Sequence, residues 1–170
     1  MPDQRARFEE SVLPHLDAAF NLARWLVQNS SEAQDLVQEA YLRAWKGFAG
    51  FRGGDARPWI LTIVRNTCYS WLRNHSIRDL AVEFDEGLHT DENSMPNPER
   101  VFMQEVNRGV LEQALQALPA EFRESIVLRE LEGLSYKEIS AIAGVPVGTV
   151  MSRLARARAR LRDCIVAASG

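Results

Sequence analysis

Apolar residues recur along this chain at steps of three and four, the period of a helix, and no run reads convincingly as a strand. From about 5 to 28 the inward set is Phe8, Val12, Leu16, Ala19, Phe20, Ala23 and Val27, with Pro14 predicted to kink the helix or to mark its true start. A second helix is predicted over 31–46, with Ser31 and Gln34 as its capping box. Ala33, Leu36, Val37, Ala40 and Ala44 share its buried face. The glycine-rich stretch 47–58 reads as a flexible connection carrying Phe48, Phe51 and Arg52. A third helix over 58–74 has Pro58 in its first turn and turns Ile60, Ile63, Val64, Thr67, Trp71 and Leu72 inward.

The pattern then fails from 76 to 98, a stretch that ends in Asn-Ser-Met-Pro-Asn-Pro and reads as a linker. Helical spacing returns over 99–118, through Val106, Val110, Leu111, Ala114 and Leu115, until Pro119 ends it. It resumes over 120–132, with Phe122, Ile126, Val127 and Leu131 inward and Gly133 as the stop. The expected fold class is all-α, and because a long structureless stretch inside one domain is unusual, the linker supports two domains. Two small helical domains, 1–75 and 99–170, are joined by a flexible acidic linker, 76–98. Their relative placement is expected to be set by partners, any contact between them being of the transient kind.

The last third carries the most specific local pattern. Ser135 and Glu138 form a capping box, Ile139, Ile142 and Ala143 share one face, and Gly144 supplies the left-handed stop. Pro146 then opens a second helix whose stripe is Val147, Val150, Leu154, Ala157 and Leu161. Another face of that helix bears Thr149, Arg153, Arg156 and Arg160, with Ser152 beside it. Two short helices, a tight turn and a cationic-polar face on the second make a helix-turn-helix suited to the major groove. An arginine-rich solvated helix is the plainer reading, and the agreement of turn, caps and stripe speaks against it.

Composition restrains this picture. The chain has 170 residues and a formal net charge of -3, whereas a protein that binds DNA tightly by itself is usually basic. Contact with DNA must then be local or assisted by a partner. The linker holds Asp79, Glu83, Asp85, Glu86, Asp91 and Glu92, while five arginines crowd the last helix. No signal-peptide core and no uncharged run long enough to span a bilayer is present, which predicts a cytoplasmic protein without direct membrane insertion. Cys68 and Cys164 lack metal-ligand spacing and read as small packed residues. His15, His75 and His89 are scattered, without a nucleophile or paired carboxylate, so no enzyme activity, metal or cofactor is expected.

Two further faces invite a role. On the second helix Asp35, Gln38, Glu39, Leu42 and Lys46 lie opposite the buried side. Leu42 is either an ordinary exposed leucine, which the pattern alone favours, or the centre of an interface. On the third helix Thr62, Arg65, Asn66, Tyr69 and Arg73 line the outer side, where rings stack on bases and arginines hold phosphates. A solvated polar face has equal weight there. Gly50, Gly53 and Gly54 do not make a phosphate cradle, since no Gly-Lys-Ser/Thr follows and no strand precedes them.

Four stretches together resemble a known family. They are D-L-V-Q-E-A-Y-L-R-A-W at 35–45, F-R-G-G-D-A-R-P-W-I at 51–60, L-P-A-E-F-R-E at 118–124 and the helix-turn-helix at 133–158. In this order they resemble a bacterial sigma factor of the extracytoplasmic-function (ECF) type, over nearly the whole chain. The resemblance implies a non-catalytic promoter-specificity subunit. Asp35, Gln38, Glu39 and Leu42 would bind the clamp helices of the largest subunit of core RNA polymerase. Arg65, Asn66, Tyr69 and Arg73 would melt and read the minus-ten element of promoter DNA. Thr149, Ser152, Arg153 and Arg156 would read the minus-thirty-five element, and apolar residues of the first two helices of the C-terminal lobe would dock on the polymerase flap. An anti-sigma factor is implied as regulator, and the acidic linker would run toward the RNA exit path. Met151 is a departure, standing where many members have a basic residue. Against this stand a stand-alone helix-turn-helix regulator, binding as a dimer without polymerase, and an interaction protein that has lost promoter binding.

Overall fold

Asp3 opens the first helix by accepting the backbone N–H of Ala6 at 2.7 Å. The computed structural model describes residues 3–79 and 102–169, with side chains over 3–75 and 108–168. Helix α1 spans Gln4–Ser11, and a 3-10 turn, Leu13–His15, contains Pro14. Helix α2, Leu16–Val27, starts after it. Pro14 therefore breaks the run, as expected, and the break leaves Leu16 exposed rather than inward.

Helix α3 spans Ser30–Gly47 and is capped by Asn29, whose side chain accepts from Glu32 N at 3.0 Å. The predicted Ser31–Gln34 box is not used. Gln28 takes a left-handed turn (φ 59), Asn29 is extended, and the helix has begun before Ser31 is reached. All five predicted inward residues of α3 are buried, and Tyr41 joins them by donating its hydroxyl to Val12 O at 3.1 Å.

The segment after α3 is more ordered than its glycines suggest. A 3-10 turn, Phe48–Gly50, buries Phe48 against Phe8, with ring centroids 5.3 Å apart. Phe51 packs on Trp59 at 5.0 Å. Gly53 and Gly54 both have positive φ, so their role is to turn the backbone where a side chain would strain it. Helix α4, Ala56–Asp79, begins beside Asp55, which accepts Arg57 N at 3.0 Å. It buries Ile60, Leu61, Val64, Thr67 and Cys68. It also runs through 76–79, the first residues of the predicted linker, whose remainder lies outside the described residues. Helices α2, α3 and α4 pack mutually as the N-terminal core.

Helix α5 is Phe102–Ala117 and α6 is Ala120–Ile126. A π-helical turn, Val127–Leu131, continues α6. Its wide hydrogen bond from Glu132 N to Val127 O fits an extra residue into the turn. That extra residue rotates the register, which is why Leu131 is 51% exposed instead of inward. Leu111 is exposed as well, on the outer side of α5. Gly133, at φ 68, closes the turn, where no side chain is favoured. Helix α7, Tyr136–Ala143, and helix α8, Val147–Ser169, complete the chain. The described helices fall into an N-terminal lobe, α1–α4, and a C-terminal lobe, α5–α8.

These lobes touch directly. Helix α7 packs against α4, and α6 packs against α2. The sequence led us to expect partners to set the placement of the lobes; in this structure of the chain by itself they lie against each other.

Candidate nucleic-acid and protein interfaces

The outer face of α3 is open. Asp35, Gln38 and Glu39 are exposed, with Glu39 3.7 Å from Arg43, and Leu42 among them is 62% exposed. These four residues share one side of the helix because Ala33, Leu36, Val37, Ala40 and Ala44 occupy the other. An apolar side chain ringed by carboxylates and an amide can be buried by a partner without exposing anything else.

The helix-turn-helix forms as its local signals dictate. Ser135 Oγ accepts Glu138 N at 3.1 Å while Glu138 Oε1 accepts Ser135 N at 2.9 Å, so both halves of the capping box are present. Gly144 takes φ 70 at the C-cap, and its N–H reaches Ser140 O at 2.9 Å. Pro146 O accepts the first backbone N–H groups of α8, Thr149 at 3.0 Å and Val150 at 3.1 Å. Val150, Leu154 and Ala157 are buried, and Leu161 is half-buried. Val147, at the open start of the stripe, is exposed.

The polar side of α8 is divided. Ser152, Arg156 and Met151 are exposed, and Thr149 and Arg153 are half-buried. Arg160, which the helical spacing placed with them, stacks its guanidinium 4.9 Å over the Phe122 ring. Arg158 bonds Glu130 Oε1 at 2.6 Å. Two of the crowded arginines are thus occupied within the lobe. The Arg158–Glu130 pair stands at the rim of an apolar groove lined by Ile126, Leu161 and Ile165. Cys164 is exposed rather than packed, while Cys68 is buried and its thiol is pushed up to about 12 by that burial.

On α4 the candidate residues part company. Asn66 and Arg73 are exposed. Arg65 and Tyr69 instead turn toward α6 of the other lobe. Glu124, only 1% exposed, accepts Arg65 Nε at 2.5 Å and Tyr69 OH at 3.1 Å. The Arg65 guanidinium also lies 4.2 Å over the Tyr69 ring. Burial raises the Glu124 carboxyl above its ordinary range, against the pull of Arg65 and, from α8, of Arg153.

The adjacent Arg123, 7% exposed, donates Nε to Trp25 O at 2.8 Å and Nη2 to Leu26 O at 3.0 Å. Its Nη1 reaches Leu118 O. It thereby supplies donors to carbonyls at the C-terminal end of α2, where the helix dipole favours a cation. Gln28 Nε2 donates to Gln116 O at 2.9 Å, and Arg57 Nη1 to Glu132 O at 3.3 Å. Hydrogen bonds to charged groups are worth about 1.5–3 kcal/mol each, and removing one partner of a buried ion pair costs about 3–5 kcal/mol. These bonds sit beside apolar packing, since the buried hydrophobic residues of the two lobes belong to one cluster.

Comparison with known proteins places these features in a family. The model of sigma-70 region 2 matches residues 12–77, and that of sigma-70 region 4 matches residues 108–161. The RNA polymerase sigma-H factor of Pseudomonas aeruginosa is 36% identical over 164 residues, 92% of this chain and 84% of that one. The chain belongs to the ECF-type sigma factors of the sigma-70 family. The ECF sigma factor SigE of Mycolicibacterium smegmatis is likewise 36% identical, over 159 residues, and this sigma factor spans 60% of its length.

Two solved structures share the fold of this sigma factor. One is the sigma factor RpoE of Bartonella quintana in complex with the anti-sigma factor NepR, with 31% identity and a TM-score of 0.72 over 94% of this chain and 96% of that one. The other is CnrH in complex with the cytosolic domain of CnrY, with 25% identity and a TM-score of 0.69 over 97% and 90%. No helix among the described residues of this sigma factor is long and apolar enough to cross a membrane. Sequence reasoning quoted Arg123 and Glu124 inside the 118–124 motif without giving them a role. The available signal was two adjacent charges just ahead of the inward residues Ile126 and Val127.

Proposed function

We propose that this chain binds core RNA polymerase and directs it to promoters as an alternative sigma factor. Residues 1–75 act as region two, 76–98 as the connecting linker and 99–170 as region four. The observation that carries the reading is Leu42, exposed at the centre of the Asp35, Gln38 and Glu39 face. On a lobe with a well-filled core, such a residue is available to the polymerase clamp helices. Arg65, Asn66, Tyr69 and Arg73 of α4 hold the minus-ten strand, with Tyr69 stacking on bases and the arginines on phosphate. Thr149, Ser152, Arg153 and Arg156 face the minus-thirty-five major groove. The groove of Ile126, Leu161 and Ile165 receives the apolar side of the flap.

The net charge of -3 fits this division of labour. Non-specific affinity for DNA comes mainly from cationic contacts to phosphate, and tethering on polymerase supplies the effective concentration that the chain lacks. No step is catalysed by the sigma factor itself. It works in the cytoplasm, and an anti-sigma factor of the kind bound to the relatives' structures regulates it. Run-off transcription with purified core polymerase tests the reading: a promoter-dependent transcript should appear only when the chain is added. Tight dimeric binding to palindromic DNA without polymerase, and no transcript, would overturn it in favour of a stand-alone regulator.

A further inference from the structure

We propose that Met151 reads a thymine of the minus-thirty-five element through its 5-methyl group, so that one base of the promoter is recognised by apolar contact rather than by a cation. The inference rests on the reading of α8 as the minus-thirty-five helix, and it adds a base that Thr149, Ser152, Arg153 and Arg156 do not account for. Met151 directly follows the buried Val150, which puts it about 100° further round α8. Ser152 lies opposite the buried stripe of Val150, Leu154 and Ala157, with Arg156 on one shoulder of the helix and Met151 on the other. The Met151 side chain is 51% exposed, and its surroundings are open. Gly148, one turn earlier, has nothing within 4 Å of where a Cβ would stand, and Ala155, one turn later, is exposed and short.

A single exposed apolar side chain on an ordinary surface needs no account. This one stands in the second turn of α8, and a recognition helix meets base edges with its N-terminal residues. Methionine has no N–H or O–H to donate and its sulfur is a weak acceptor, so it bonds neither a phosphate nor the edge of guanine. In the major groove, the C5 methyl of thymine is the apolar group it can meet. The unbranched, polarisable thioether adapts its shape to so small a target. Two turns further along the same shoulder, Arg158 donates Nη2 to Glu130 Oε1 at 2.6 Å, so its guanidinium is engaged within the lobe. Arg156, on the other shoulder, is exposed and suits guanine. The helix thus presents a hydrogen-bonding side and an apolar side to one groove, and the two read different bases.

The test uses holoenzyme assembled from purified core polymerase and the full chain. A library of promoter duplexes randomised over the upstream element is selected by binding to the wild-type holoenzyme at fixed salt. Each thymine in the selected element is then exchanged, one at a time, for deoxyuridine, which pairs identically and lacks only the methyl group. At one position the exchange should weaken binding by wild type about fourfold, the change that one buried methyl group makes. Met151→Ala should bind the thymine and deoxyuridine promoters equally. Met151→Leu, which keeps an apolar tip, should still distinguish them. Arg156→Ala is the control for the helix as a whole: it should weaken binding to both promoters and leave the deoxyuridine effect intact. A selection that yields no upstream preference overturns the minus-thirty-five reading, and the inference with it. A preference that depends on Arg156, but in which no thymine responds to loss of its methyl group through Met151, overturns the inference alone.

Discussion

Leu42→Ala separates a surface used by a partner from a surface that merely faces water. Fully burying a leucine side chain is worth about 1.5–3 kcal/mol. With 62% of Leu42 exposed in the free chain, about 1–2 kcal/mol of that remains to be gained on core polymerase. Loss of this burial weakens core binding by about five- to thirtyfold. The cost to the fold is small, since only the lesser part of the side chain is packed and alanine is the better helix former. Leu36, on the opposite face of α3 and only 7% exposed, is the control. Leu36→Ala opens a cavity costing about 2–5 kcal/mol and lowers Tm by about 4–20 °C for a chain of this size. Both variants are melted by circular dichroism and titrated against labelled core polymerase. Adding Asp35→Ala to Leu42→Ala enlarges the loss most at low salt, because a rim charge acts mainly through steering. Wild-type affinity for Leu42→Ala, or a melting loss equal to that of Leu36→Ala, refutes the assignment.

Other consequences are as direct. Arg156→Ala, which removes an exposed guanidinium beside the buried stripe of α8, costs about 1–3 kcal/mol in promoter binding by holoenzyme and relaxes preference at one position of the upstream element; equal binding to all promoter variants would exclude it. At pH 8 the exposed Cys164 reacts at once with a thiol reagent. Cys68, whose pKa burial pushes up to about 12, stays protonated and reacts only after denaturation, so two fast thiols in the native chain would contradict the packing of α4.

What the chain's order of residues determined by itself is everything carried by short-range signals. The capping box at Ser135 and Glu138, the stop at Gly144 and the start at Pro146 act within a few residues of one another, and the helix-turn-helix formed as they prescribe. The five inward residues of α3 and the exposure of Leu42 follow from helical period alone, because one side of an amphipathic helix must be dry. Short-range signals also misled where two were equivalent: Asn29 took the cap expected of Ser31, since either side chain can accept the orphan backbone N–H and the turn at Gln28 decided which came first. Tertiary structure alone decided which polar side chains were spoken for. Arg65 and Tyr69 look identical in pattern to Asn66 and Arg73, yet their acceptor is Glu124, 59 and 55 residues further on, beyond the linker. Leu131 left the core because a π turn inserted a residue that helical counting does not register. Periodicity states which side of a helix is polar; it carries no information about which distant charge will come to lie against it, because that depends on how the lobes meet.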